Sequence, residues 1–177
     1  MYNELPRPAF GESEINKMSF ALVLVFAAAT GSGIVGGIFF AFSSFVMAAL
    51  GRIPPAQGVA AMNSINVAVI NPSFMTMFAG TGTLCLGVTV GSLVRWNQPG
   101  AKLALAASLV YLVGCVGVTA FCNVPLNDRL ASLADAAQAV AFWPRYLAVW
   151  DRWNQVRSVS GIMSAGLFTL ALSRHWN

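Results

Sequence analysis

No aspartate or glutamate occurs between Ile15 and Asn127, and the few cations of the chain leave four uncharged stretches, 18–51, 53–94, 103–127 and 158–173. This pattern constrains the fold more than any motif. A charge at the centre of a bilayer costs roughly 3 kcal/mol or more, so spanning segments exclude charge. Crossing a hydrocarbon core of ~30 Å takes about 20 helical residues. The stretches therefore predict an all-α integral membrane four-helix bundle with spans at about 19–48, 73–94, 103–123 and 157–173. Short interfacial helices are expected in the loops between helices 1 and 2 and between helices 3 and 4. Only 9% of residues are charged, against about 25% in soluble domains. The first span is long enough to tilt. The fourth is short, and Arg157 and Arg174 are expected to snorkel from its two ends. Residues 1–17 are expected to form a loosely ordered cytoplasmic tail ahead of one membrane domain, 18–177.

Membrane reading changes the meaning of one motif. Gly31-Ser32-Gly33-Ile34-Val35-Gly36 spells the G-x-G-x-x-G of a dinucleotide-binding turn. Such a site needs a carboxylate roughly 20 residues downstream, and none occurs before Asp128. The glycines are better read as helix-packing positions: Gly33 and Gly37, and again Gly87 and Gly91, stand four apart. Small residues at that spacing let helices approach closely, within the bundle or in a homo-oligomer. A cleaved signal peptide is disfavoured, because the apolar run continues more than 20 residues past the candidate site "FAAAT". Cys85, Cys115 and Cys122 lie in spans without a C-x-x-C, and the lone His175 lies beyond the last span, so no metal or haem ligand set is expected. The net charge of +4 is scattered over loops and forms no nucleic-acid stripe. Arg95 and Lys102 share a very short loop, which places both termini in the cytoplasm.

The two connections on the opposite side are polar in a specific way. In "RIPPAQGVAAMNSINVAVINPSF", Pro54 and Pro55 stop the first helix, and a short interfacial helix follows. Asn63 and Asn66 project from one side of it. Asn71 is placed to cap the second span. In "FCNVPLNDRLASL", Pro125 is expected to break the third helix just after Asn123, with Asn127 following. Next, "FWPRYLAVWDRWNQVRSVSG" reads as a helix running into the fourth span. Trp143, Tyr146, Trp150, Asn154 and Arg157 recur at threes and fours on one face, and Trp153 stands one turn before Arg157. An interfacial aromatic belt with helix-capping asparagines would account for each residue singly. Their convergence on one face, where helices break, favours a cavity lined by amides, a guanidinium and indoles. Such a cavity suits a hydrophobic aromatic small molecule bearing carbonyl or phenol oxygens.

"GGIFFAFSSFVMAAL", "MNSINVAVINPSFM", "NVPLNDRL" and "WDRWNQVRSVSG" together resemble the anthrone oxygenase family of small four-helix membrane proteins, long catalogued as a domain of unknown function. The most specific pieces are N-x-P-x-N at Asn123 to Asn127 and W-x-x-W-N-x-x-R at Trp150 to Arg157. The chain departs from the pattern near Ala48, where relatives often carry a proline. The resemblance implies a bacterial inner-membrane location, or a role resembling that of fungal polyketide-pathway members. It further implies oxidation of an anthrone-like phenolic substrate by molecular oxygen, with no metal, flavin or other cofactor.

On that reading Arg157, with Asn154, Asn127 and Asn123, supplies hydrogen bonds to an enolate oxygen, the type of preorganised electrostatics that dominates many active sites. Trp150 and Trp153 stack on the rings, and Asn63, Asn66, Asn71, Trp143 and Tyr146 complete the binding surface. No residue suggests itself as the general base, since Asp128 is expected to face solvent or pair with Arg129. The competing reading is a non-catalytic membrane protein that binds a lipid, a quinone or a partner protein.

Overall fold

A computed structural model describes residues 12–133 and 135–174, with side chains from Phe20 onward. The expected tail up to Gly11 and His175 lie outside the described residues. Among these residues every regular element is a helix, and no strand occurs. Helix α1 spans Glu12–Ala41, a π-helical segment Phe42–Val46 follows, and α2 is Met47–Leu50. After α3 (Pro55–Ala68) come α4 (Pro72–Val94) and α5 (Ala101–Tyr111). Two further π segments, Leu112–Gly117 and Thr119–Asn123, lead into α6 (Val124–Ser132), and α7 runs from Ala136 to Ser173.

Four continuous helices, Phe20–Leu50, Pro72–Val94, Ala101–Ser132 and Ala136–Ser173, are long and apolar enough to cross a membrane. They fit a multi-pass membrane protein and match the four uncharged stretches. Two boundaries differ from expectation. Pro125 does not break the third helix, which continues to Ser132. A proline removes one N–H and its ring collides with the carbonyl four residues back. Here the π segment immediately before α6 widens the turn and takes up both defects. The fourth helix begins at Ala136, continuing through Pro144, so Arg157 lies near its middle rather than at a snorkelling end.

Helix α1 packs along α7, while α4 and α5 close the bundle against them. The tight crossings use glycines other than the paired ones. A Cβ on Gly161 would stand 2.6 Å from the Gly36 Cα, and one on Gly36 only 2.8 Å from the Ile162 nitrogen. At that point α1 and α7 touch backbone to backbone, and serines knit the seam: Ser158 Oγ donates to the Gly36 carbonyl at 3.5 Å and Ser164 Oγ to Ser32 Oγ at 3.2 Å. By contrast, a Cβ at Gly37, Gly87 or Gly91 would meet nothing within 4 Å, and one at Gly33 only Ala165 at 3.7 Å.

Two apolar cores result. One, around Phe39, Cys85, Tyr111 and Phe168, joins α1, α4, α5 and the C-terminal half of α7. The other, around Met47, Met62, Leu130, Trp143 and Trp150, joins α2, α3, α6 and the N-terminal half of α7. Pro55 opens α3 at its first turn, where a missing N–H costs nothing. Gly58 lets α3 lie directly on the Trp143 ring, which a Cβ there would approach to 2.7 Å. Asn71 caps α4 as expected, its side chain accepting from the Phe74 N–H at 3.0 Å.

Candidate functional site

Between the two cores lies a cavity of about 340 Å³. Its walls come from α1 with its π segment (Phe39, Phe42), α3 (Met62, Asn66), α4 (Phe74, Phe78), the third helix (Thr119, Asn123, Asn127, Asp128) and α7 (Trp150, Arg157). Two of the three π segments therefore supply wall residues. A π turn pushes side chains off the regular helical stripe and displaces a carbonyl from the ladder, and such turns concentrate at functional sites.

Arg157 is the central polar group. It is 5% exposed, and its guanidinium carbon sits 4.2 Å above the Phe39 ring and 5.0 Å from that of Trp150. Nη2 donates to Asn154 Oδ1 at 2.8 Å and Nη1 to Thr119 Oγ1 at 3.2 Å, while buried Nε has no partner. No carboxylate among the described residues pairs with it. Asn154 is itself anchored, since its Nδ2 donates to the Phe39 carbonyl at 2.8 Å and to Ser43 Oγ at 2.6 Å. The side chain of Asn154 thus ties the α1 kink to the arginine, and stands behind the cavity rather than in its wall.

Asn123 is 1% exposed; its Nδ2 donates to the Trp150 carbonyl at 3.2 Å and its Oδ1 is buried without a partner. Asn127 Oδ1 accepts from the Tyr146 hydroxyl at 2.7 Å and from Trp150 Nε1 at 2.9 Å, which fixes the indole edge-on to α6. Asn66 Nδ2, across the cavity on α3, is likewise buried and unpartnered. The remaining walls are aliphatic side chains and rings. Phe74 and Phe78 stack at 5.8 Å between centroids, Phe78 meets Phe39 edge-on at 6.2 Å, and Trp150 continues a ladder through Tyr146 to Trp143.

Several expected residues stand elsewhere. Asn63 is half-buried on α3, outside the cavity wall, with its Oδ1 unpartnered. Asn71 is committed to the α4 cap. Trp143 and Tyr146 are buried in the core beneath the cavity, and Trp153 is 39% exposed on another face. Conversely, Asp128 does line the cavity. Arg129, its expected partner, instead lies over the Phe142 ring at 4.6 Å. The phenylalanines of α1 and α4 gave no warning in the sequence, where aromatic residues inside a span look the same whether they face lipid or a cavity. Thr119, a hydroxyl one turn before the N-x-P-x-N segment, was the one polar sign.

No cluster of three or more His, Cys, Asp or Glu suited to a metal ion occurs among the described residues. Neither curated proteins nor solved structures provide a match to the chain. The sequence profile of the family described as anthrone oxygenase matches residues 73–167, more than half the chain and all the cavity residues of α4, α5 to α6 and α7. By that match, the chain belongs to the anthrone oxygenase family.

Proposed function

We propose that the protein oxidises a planar, anthrone-like phenolic substrate with molecular oxygen in the cavity around Arg157. The observation that carries this reading is a buried guanidinium with an unpartnered Nε and no carboxylate partner among the described residues, set between aromatic faces. A lone cation taken out of water is costly unless an anion joins it. An enolate or phenolate oxygen would be that anion.

The chemistry asks little of the protein beyond this. Loss of a proton from the methylene carbon of an anthrone breaks a C–H bond and leaves the electron pair in an enolate, whose oxygen would rest against Arg157. The enolate reduces oxygen, and a C–O bond forms to give a peroxide at that carbon. Removal of the second C–H proton with cleavage of the O–O bond leaves a carbonyl and releases water. One oxygen atom thus enters the product and the other leaves carrying the two hydrogens lost from carbon. Arg157 stabilises the developing oxyanion, and Asn154 and Thr119 hold its fork in place. Asn123 Oδ1 and Asn66 Nδ2 offer one acceptor and one donor to ring hydroxyl and carbonyl groups. Phe39, Phe74, Phe78 and Trp150 form apolar walls for the ring system and exclude water. The cavity is assigned to the outer side of a bacterial inner membrane, with both termini in the cytoplasm.

Oxygen uptake by the purified protein in detergent, measured against a panel of anthrones and hydroquinones, tests the proposal. Equimolar oxygen consumption with quinone formation supports it. Absence of turnover across the panel, with a lipid or quinone retained through purification, would instead favour a binding protein.

A further inference from the structure

Asp128 is the one carboxylate in the cavity lining, and its setting differs from that of every other polar wall residue. It follows Asn127, whose side chain is pinned by both Tyr146 and Trp150, so its backbone position on α6 is firmly held. Its own side chain is exposed and makes no hydrogen bond or ion pair with any described residue. The neighbouring Arg129 is engaged with the Phe142 ring. Exposure at the rim also gives it contact with water, to which a proton can pass.

The placement matches the geometry of the reaction proposed above. In an anthrone the carbonyl carbon and the acidic methylene occupy opposite vertices of the central ring. With the oxygen directed inward to buried Arg157, the methylene faces the rim. The cavity thus presents a cation at its depth, where negative charge accumulates on oxygen, and a carboxylate at its mouth, where hydrogen leaves carbon.

Resting on that assignment of the reaction, we propose that Asp128 is the catalytic base that takes the methylene proton. The C–H bond breaks, its electron pair enters the enolate, and an O–H bond forms on the carboxyl group. The same group returns this proton to the distal peroxide oxygen to give a hydroperoxide, then takes the second proton from the carbon as that electron pair forms the carbonyl and the O–O bond breaks, and hands it to the departing hydroxide, so that both carbon-bound hydrogens leave in the water released.

The test uses the full-length protein in detergent with anthrone, protiated or deuterated at the methylene, as substrate. General-base catalysis contributes about 10²–10⁴-fold, so Asp128→Asn should lower kcat by at least ~100-fold with KM and affinity for anthraquinone little changed. The substrate isotope effect on kcat should rise, Asp128→Glu should recover part of the rate, and formate should restore turnover to Asp128→Ala. Asp128 is exposed, so its substitution leaves the packed core untouched, and Arg129→Ala serves as a neighbouring control. If the wild type consumes oxygen and Asp128→Asn does so within a few-fold, or if its loss is all in KM, the role of Asp128 is refuted while the reaction stands. If the wild type does not turn over anthrone at all, the reaction and this role fall together.

Discussion

Replacing Arg157 by methionine separates a functional guanidinium from a structural one, because the two roles predict opposite stability outcomes. The arginine donates to Asn154 and Thr119 and lies over two rings. Hydrogen bonds involving a charged group contribute ~1.5–3 kcal/mol each, and a desolvated cation–π contact about 2 kcal/mol. The variant also strands Asn154 Oδ1, at a further ~1–3 kcal/mol. Against these stands relief from burying an ion that lacks a carboxylate partner, several kcal/mol. Methionine keeps the unbranched stem packed on Phe39. The opposing terms are of similar size, so Arg157→Met should unfold within about 2 kcal/mol of wild type, a melting shift under ~8 °C for a domain of this size. Turnover should fall ~10²–10³-fold, the usual loss of one oxyanion donor, or ~2.7–4 kcal/mol in the barrier. Thermal unfolding in detergent and oxygen uptake, measured on one preparation, supply both numbers. Turnover within threefold of wild type would refute the oxyanion role. A melting temperature more than ~10 °C lower would show that the guanidinium is chiefly a strut between α1 and α7.

Further predictions address recognition and packing. Asn123→Leu removes a buried acceptor that has no partner together with the 3.2 Å bond to the Trp150 carbonyl; the gain and the loss oppose each other, so stability should change by no more than about 1 kcal/mol, while affinity for a hydroxylated anthraquinone falls up to ~10-fold by equilibrium titration. Gly161→Val forces apart the backbones of α1 and α7, because a Cβ there would stand 2.6 Å from the Gly36 Cα, and should cost about 3 kcal/mol or prevent folding. Gly87→Ala points into open space and should stabilise α4 by ~0.5–1 kcal/mol; destabilisation with a change in particle size would reveal a second subunit on that face. Asn71→Ala should lower stability by ~1 kcal/mol through loss of the α4 cap, read by thermal unfolding.

What the amino-acid order determined by itself was the solvent and the class of fold. Four uncharged stretches admit only helices across a bilayer, because backbone groups in hydrocarbon have to bond within their own segment. Local chemistry was also legible: Asn71 caps α4, and the three- and four-residue spacing of Trp143 to Arg157 does mark the inward face of α7. Tertiary structure alone decided which of those residues reach one cavity. Asn123, Asn127, Trp150 and Arg157 meet there with Asn66, whereas Asn63, Trp143, Tyr146 and Trp153 do not. Periodicity records which side of a helix a residue occupies, but not its depth or what the neighbouring helix presents. Pro125 shows the same limit, since a π turn whose register depends on packing let the helix continue past it. So does the glycine spacing, where Gly36 and Gly161, far apart in sequence, form the close contact and the paired glycines do not. Asp128 reaches the cavity lining through the same continuation of the third helix, and three-dimensional packing, which no local spacing encodes, brought it into one cavity with the buried arginine.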